Sequence, residues 1–466
     1  MRALHWFRND LRLRDNPALH DAARADDGLA ALFVLDERLL DASGREAPRT
    51  RYWLACLQSL ATSLAERNVP LIVVTGDPVE RVPEIARRHR IDVVSWNADY
   101  SPYATSRDDA VRHALEAEGR RVHARKGRVV FESREVRTRT GGAYSVFTPY
   151  ARNWRERLAA GGPDPLRAPR LRGLADVRAQ GLAAGDAAAS VAHLEAPAPN
   201  EDAALRRLDA FVEHRMARYD EDRDRPAVDG TSRLSAALRF GLLSPAQCVR
   251  RALDAADADP RARAGADKWI GELIWRDFYA GILSEHPIAA RSALKPAFRR
   301  LRWDDDPEAF AAWREGRTGY PIVDPGMRQL AATGWMHNRV RMIAASFLVK
   351  DLLINWRRGE EHFMACLVDG DPASNNGGWQ WAASTGSDAV PYFRIFNPTA
   401  QGERFDPEGD YVRRYVPELA GLPGRSAHRP WDSPLAAAGY APPIVDHAER
   451  RQIALARYRE ALGPDE

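Results

Sequence analysis

The sequence is poor in cysteine. Cys56, Cys248 and Cys366 lie far apart and form no CxxC pair. That excludes a disulfide-stapled scaffold and a thiol-based metal or redox motif, and it leaves the three as small buried hydrophobes. No apolar run approaches the roughly 20 residues needed to cross a bilayer, and the first 13 residues lack the apolar stretch of a secretory signal. A cytoplasmic protein is expected. Charge of one sign is missing too: 68 Lys and Arg against 65 Asp and Glu leave +3. The total argues neither for nor against nucleic acid, so placement must decide. Residues 3–7 are followed by Arg8-Asn9-Asp10-Leu11-Arg12 instead of GxGxxG, so a dinucleotide pyrophosphate is not bound there in the usual way. There is no internal repeat and no low-complexity tail, and no metal site is expected.

What is present fits a multidomain globular chain. With 466 residues, 45% hydrophobic and 29% charged, it exceeds what one core organises, and two domains are expected. Residues 3–7, 29–36, 71–75 and 92–96 read as strands, with helical patterns at 51–67, 79–90 and 106–118 between them. This alternation predicts βαβ units and a Rossmann-like parallel sheet covered by helices, with ligands beyond the carboxyl ends of the strands. From 161 to 200 the chain is rich in Gly, Ala and Pro, which predicts a long surface connection. Beyond it helical patterns dominate, at 202–218, 267–283, 335–357 and 447–462. The expected fold is therefore α/β plus all-α: an α/β domain over 1–130, an extended connection over 131–200 and a helical domain over 201–466.

In a helix from 265 to about 283, Glu272, Trp275, Arg276 and Tyr279 fall at offsets 0, 3, 4 and 7, which sets a carboxylate, two aromatics and a guanidinium along one face. Such a face suits a nucleobase; the plainer alternative is a surface ion pair with the aromatics in the core. Trp379 and Trp381 project about 200° apart on a helix and need separate surroundings. Asn375 and Trp379 are one turn apart and share a face if a helix begins near Asn375, behind Asp371 and Ser374. Nine of the 13 tryptophans lie at or after Trp269, more clustering than packing alone suggests.

Several stretches resemble the photolyase and cryptochrome family. They are Gly334-Trp335-Met336-His337-Asn338-Arg339-Val340-Arg341-Met342, read as continuing in a helix to Trp356, and Asp369-Gly370-Asp371-Pro372-Ala373-Ser374-Asn375-Asn376-Gly377-Gly378-Trp379-Gln380-Trp381. Others are Gly230-Thr231-Ser232-Arg233-Leu234-Ser235, Glu272-Leu273-Ile274-Trp275-Arg276-Asp277-Phe278-Tyr279, Gly319-Tyr320-Pro321-Ile322-Val323-Asp324 and the opening Trp6-Phe7-Arg8-Asn9-Asp10-Leu11-Arg12. The resemblance runs nearly the whole chain in order, and it points to the class I, bacterial-type cyclobutane pyrimidine dimer photolyases.

The resemblance implies FAD folded within the helical domain, light-driven repair by electron donation from the reduced cofactor, and UV-damaged DNA as the partner of a monomer with no obligate protein partner. By matching, FAD contacts are Tyr219, Thr231, Ser232, Arg233, Leu234, Ser235, Glu272, Arg276, Asn338, Arg341, Asp369, Gly370, Asp371 and Asn375. Asn375 faces the flavin N5, and Arg341 pairs with Asp369 beside the ring. Glu272, Trp275, Asn338, Met342 and Trp381 receive the lesion. Arg223, Arg276, Tyr279, Arg339 and Gln401, with Glu272, Trp275 and Asn338, contact DNA. Trp379, Trp356 and Trp303 carry electrons from the surface to the flavin. Asn375 stands where plant cryptochromes have a carboxylate, and Asn338 stands where a (6-4) photolyase has a histidine. A flavin electron carrier without nucleic acid leaves Glu272, Trp275 and Trp381 unexplained.

The resemblance also implies an antenna chromophore at the strand ends near Arg8, Asn9 and Asn97, with Arg8, Asp99 and Arg51 as candidate contacts. Methenyltetrahydrofolate, 8-hydroxy-5-deazaflavin, another flavin and an empty site all stay open. The Asn-Glu and Cys-Lys pairs of folate-binding members are replaced here by Tyr103-Ala104 and Ala290-Arg291.

Overall fold

A computed structural model describes residues 1–44, 46–162, 164–181, 188–433, 435 and 437–463. By internal packing the chain forms two compact units, Met1–Ala217 with Ser232–Pro287, and Arg218–Thr231 with Ile288–Glu466.

The first unit is built on β1 (Arg2–Phe7), β2 (Gly28–Leu35), β3 (Leu71–Thr75), β4 (Val93–Asn97) and β5 (Arg121–Arg125). They pair in parallel in the order β3-β2-β1-β4-β5. Strand order reverses between β1 and β4, so the crevice at their carboxyl ends is the switch point of the sheet. Leu4, Trp6, Ala30, Leu32, Ile72, Val94 and Trp96 pack with Val82 and Ile85 of helix Pro78–Arg88 and Val111 and Leu115 of helix Pro102–Ala117. These helices begin where Asp77 and Ser101 accept from the amides of Val79 and Ala104, with Pro next in line. The Pro102 start lies one turn ahead of the helical pattern, which is set by apolar spacing and not by the cap. β5 was not expected. Its sequence, Arg-Val-His-Ala-Arg, is that of an edge strand and has no apolar run.

The expected surface connection over 161–200 is corrected in part; its residues 163 and 182–187 lie outside the described set. Leu174 and Val177 are buried in the sheet's core. The amide of Leu29 donates to the Arg172 carbonyl at 2.8 Å, and that of Val73 donates to the Gln180 carbonyl at 2.9 Å. An edge strand leaves backbone groups unpaired, and this segment satisfies those of β3. The approach requires glycine: a Cβ on Gly181, at φ +85°, would lie 1.8 Å from the Val73 carbonyl oxygen.

Helix Arg263–Glu285 belongs to the same unit. Its Asp277 is 2% exposed and accepts at Oδ2 from the amides of Val130 and Phe131 and from the Trp154 indole, at 3.0 to 3.1 Å. Burial pushes this carboxyl up to about 6. The three donors fix the rotation of the helix, and with it the direction of every other side chain it carries.

The second unit is helical around one core that includes Trp313, Val323, Val340, Leu348, Trp356, Phe363 and Trp379. The continuous helix expected to reach Trp356 does not form. Helix Asn338–Ser346 passes into a π turn at Phe347–Asp351, Leu353 takes a positive φ of 54°, and a new helix, Trp356–Cys366, starts behind the Asn355 cap. Apolar spacing persists through the break and hides it. The break is held by helix His447–Leu462: His447 meets Asp351, Arg450 donates to the Asp351 carbonyl at 2.6 Å, and Tyr458 lies 3.6 Å from the buried Lys350 ammonium nitrogen.

Candidate functional site

On helix Arg263–Glu285, Leu273, Ile274, Asp277 and Phe278 are buried, while Glu272, Trp275, Arg276 and Tyr279 are half-buried. The four therefore form the non-core face that their spacing predicts. The Trp275 ring lies flat on Phe147, 3.6 Å between centroids and 2° between planes, and 5.3 Å from Tyr279. Arg276 donates to the backbone carbonyls of Arg128 and Leu238. Its guanidinium is thus anchored by the fold. Phe147, the first residue of helix Phe147–Gly161, was not anticipated, because a lone Phe beside a Gly-rich turn gives no periodic signal.

In the loop that follows Thr231, Arg207 donates to the Ser232 carbonyl at 2.9 Å, and Arg233, at φ +53°, pairs with Glu195. A non-glycine residue in that region is held by its surroundings at a cost of roughly 1–3 kcal/mol. Leu234 is buried and caps helix Ser235–Phe240 without a side-chain acceptor, so the cap residue leaves the amides of that first turn to other partners.

In the second unit, Arg341 donates to the Met336 carbonyl at 2.8 Å and to Asp369 Oδ2 at 2.8 Å. The pair predicted from sequence exists. Asp369 Oδ1 and the Trp379 Nε1 are buried without a hydrogen-bond partner, a costly state that a bound ligand relieves. Gly370 is buried and precedes Asp371, which caps helix Pro372–Ala382 by accepting from the amides of Ala373 and Ser374. The helix thus begins one turn earlier than the Asn375 start expected. Asn375 and Trp379 still share a face, because both lie within it. Gly378 sits in the same helix, where a Cβ would meet nothing within 4 Å. A glycine within a helix costs about 1 kcal/mol relative to alanine, so open space beside Gly378, Asn375 and the two orphaned polar atoms fits a cofactor pressed close to this backbone. These residues fit a flavin.

Trp379 and Trp356 are 2% and 3% exposed and share one core, with Trp303 partly buried against it. A Cβ on Gly359 would come 2.1 Å from the Trp379 ring, so Trp379 rests directly on the helix that carries Trp356 one turn earlier. Trp313 was missed by the sequence reading. It is fully buried, lies 6.0 Å from Trp379, and donates to the Ala344 carbonyl at 3.0 Å. Trp381 is half-buried beside Phe396, so the two helix-mates do have separate surroundings.

Asn338 is exposed at the start of its helix with its amide 3.8 Å from the Met342 sulfur. Arg339 donates to Asp224 at 2.9 Å and lies 4.3 Å over the Phe405 ring. Arg223 faces the same Asp224 at 3.9 Å and the Tyr219 ring at 5.5 Å. Gln401 sits one turn before Phe405 on helix Pro398–Phe405. The structure thus gathers Tyr219, Arg223 and Arg339 around Asp224 in this unit, whereas Arg276 and Tyr279 belong to the other.

At the switch point of the sheet, Arg8 pairs with Asp108 at 2.9 Å and donates to the Asn97 carbonyl. Burial opposes the charge of Asp99, but Arg128, with Arg239, Arg107 and Arg8 behind it, holds that carboxyl well below the usual range. Tyr103 meets Asp36, and Arg51 meets Glu46 on the surface. Arg8 and Asp99 gather at the crevice, and Arg51 pairs with Glu46.

Residues 3–170 match the DNA photolyase family, and residues 269–460 match the FAD-binding domain of DNA photolyase. The deoxyribodipyrimidine photo-lyase of Escherichia coli is 42% identical, with 98% of each chain covered. Among solved structures, a bacterial class III photolyase from Agrobacterium tumefaciens superposes with a TM-score of 0.89 at 36% identity, covering 99% of this chain and 97% of that one. A cryptochrome from Synechocystis reaches 0.88 at 28% identity, with 98% of each chain covered. The two scores are nearly equal, so the backbone does not separate a photolyase from a cryptochrome. With such identity along almost its full length, this chain belongs to the DNA photolyase family.

Proposed function

We propose that this chain repairs cyclobutane pyrimidine dimers in DNA under light, using FAD. The observation that carries the reading is the face of Glu272, Trp275, Arg276 and Tyr279, which a rigidly anchored helix keeps out of its own core. A carboxylate on one helix face with aromatic rings suits a pair of apolar, hydrogen-bonding pyrimidines turned out of the stack. When bound and fully reduced, FAD supplies the photoexcited electron that opens the cyclobutane ring and afterwards returns, leaving no net redox change.

The residues of this chain divide the remaining tasks. Tyr219, the 231–235 loop, Arg276, Arg341, Asp369, Gly370, Asp371 and Asn375 hold the flavin. The loop offers hydroxyls and uncapped amides to its phosphates, the principle by which helix starts bind anions. Glu272 hydrogen-bonds the dimer, Trp275 and Trp381 flank its apolar edge, and Asn338 and Met342 complete the cavity. Arg223, Arg276, Tyr279, Arg339 and Gln401 engage the strand, the arginines through phosphates. Trp379, Trp356 and Trp303 return an oxidised flavin to its reduced state.

We assign residues 1–130 to an antenna domain for methenyltetrahydrofolate or 8-hydroxy-5-deazaflavin, 131–200 to the connection and 201–466 to the flavin domain. The protein acts as a cytoplasmic monomer without an obligate protein partner. Among the described residues no helix is long and apolar enough to cross a membrane, and no cluster of side chains suits a metal ion.

Lesion choice tests the reading. Oligonucleotides carrying a cyclobutane dimer are expected to bind more tightly than undamaged or (6-4)-containing ones, with affinity falling as salt rises. Equal affinity for all three contradicts it.

A further inference from the structure

Two of the arginines that engage DNA share one carboxylate. Asp224 Oδ1 accepts from Arg339 Nη2 at 2.9 Å and lies 3.9 Å from Arg223 Nε. The Arg339 guanidinium has little other support: the Phe405 ring lies 4.3 Å from it, and its Nε is buried without a hydrogen-bond partner. Asp224 is its one ion-pair partner among the described residues. The neighbouring carboxylate is committed elsewhere, since Asp222 lies 3.2 Å from Arg218 and 3.8 Å from Arg225. Both arginine side chains are 17% exposed and that of Asp224 is 35% exposed, so all three groups remain within reach of a phosphate arriving from solvent.

We infer that Asp224 sets the discrimination between damaged and undamaged DNA: it holds Arg339 in the geometry that meets a phosphate beside a turned-out dimer, and its charge offsets one of the two arginines. The inference rests on the reading of Arg223 and Arg339 as DNA contacts.

Every duplex offers phosphates, and lesion-independent affinity grows with the number of them that arginines neutralise. With Asp224 beside them, Arg223 and Arg339 present one net positive charge instead of two. Undamaged DNA puts no lesion into the cavity and depends on that charge most. The carboxylate therefore weakens binding where charge is all that binds. A dimer complex keeps its cavity contacts, and an Arg339 already fixed by Asp224 loses little side-chain freedom on meeting its phosphate.

The test is a fluorescence-anisotropy titration of the flavin-loaded protein with undamaged and dimer-containing oligonucleotides, from about 50 to 200 mM salt. Asp224→Asn keeps the size and an acceptor oxygen but removes the charge. Affinity for undamaged DNA should rise roughly three- to tenfold at the lower salt, and its salt dependence should steepen by about one phosphate, a further threefold or so loss across that range. Affinity for dimer DNA should rise less, so the ratio between the two falls. Adding Arg339→Ala to Asp224→Asn should return the slope for undamaged DNA toward that of the wild type. An unchanged flavin spectrum shows that the variants fold. Unaltered affinity and slope for undamaged DNA in Asp224→Asn, a ratio that is kept, or a steep slope that survives the added Arg339→Ala overturns the inference. Equal losses for both DNAs overturn it as well, because they mark Asp224 as a structural support only. Arg339→Ala alone probes the reading beneath: if it changes the affinity for neither DNA, the arginine is no DNA contact and that reading fails first.

Discussion

The rings of Phe147 and Trp275 are stacked face to face at 3.6 Å. One face of Trp275 is thereby covered, and the indole is held edge-on by Phe278, 5.8 Å away. Replacing Phe147 by Ala removes the backing, worth about 1 kcal/mol for an aromatic pair. Affinity for dimer-containing DNA should fall roughly five- to tenfold while flavin content and photoreduction stay unchanged. A fluorescence-anisotropy titration reads the first and an absorption spectrum the second; unaltered affinity means that Trp275 needs no support.

Arg341 and Asp369 form a pair in which the carboxylate side chain is 2% exposed. Removing the guanidinium leaves a buried charge uncompensated, which costs roughly 3–5 kcal/mol. Arg341→Ala should lower the melting temperature and lose FAD on gel filtration. Retention of full flavin by a stably folded variant would show that the pair is structural only.

The contact between Gly359 and Trp379 leaves no room for a methyl group. Gly359→Ala must displace the Trp379 ring, at a cost of roughly 1–3 kcal/mol from overpacking. Photoreduction of oxidised flavin should slow, whereas repair after chemical reduction should survive. Flash photolysis separates the two, and repair lost together with photoreduction would place Trp379 in both electron routes.

Asp277 makes stability depend on pH. Its carboxyl is raised in the folded state to about 6 from an ordinary 3.8, so the folded protein binds the proton more tightly than the unfolded chain does. That contribution is fully present below pH 3.8 and is lost as pH rises through about 6, a change on the order of 3 kcal/mol. Asp277→Asn should flatten this component in urea titrations between pH 4 and 6.5. A slope identical to that of the wild type would assign the dependence to other groups.

Much of the site is legible in the sequence, for a physical reason: helical offsets convert directly into shared faces. The shared face of Glu272, Trp275, Arg276 and Tyr279 followed from their spacing, its functional reading came from the family resemblance, and the divergence of Trp379 from Trp381 followed from two residues' worth of rotation. What escaped has no period. β5 is an edge strand with charged ends, and the break at Leu353 lies inside unbroken apolar spacing. Phe147 and Trp313 reach their neighbours from distant stretches of chain, and no local pattern announces such contacts. The 172–180 segment reads as a loop because it contributes hydrogen bonds to a sheet without a strand's alternation.

The most direct measurement is repair of an oligonucleotide with one thymine dimer by enzyme whose flavin has first been chemically reduced, followed by the return of thymine absorbance. Under near-ultraviolet or blue light the dimer should be restored to two thymines with no net oxidation of the flavin, and Glu272→Ala should do so at lower yield with flavin still bound. In darkness nothing should change. An intact dimer after illumination of the reduced enzyme, or equal restoration in the dark, would contradict the account.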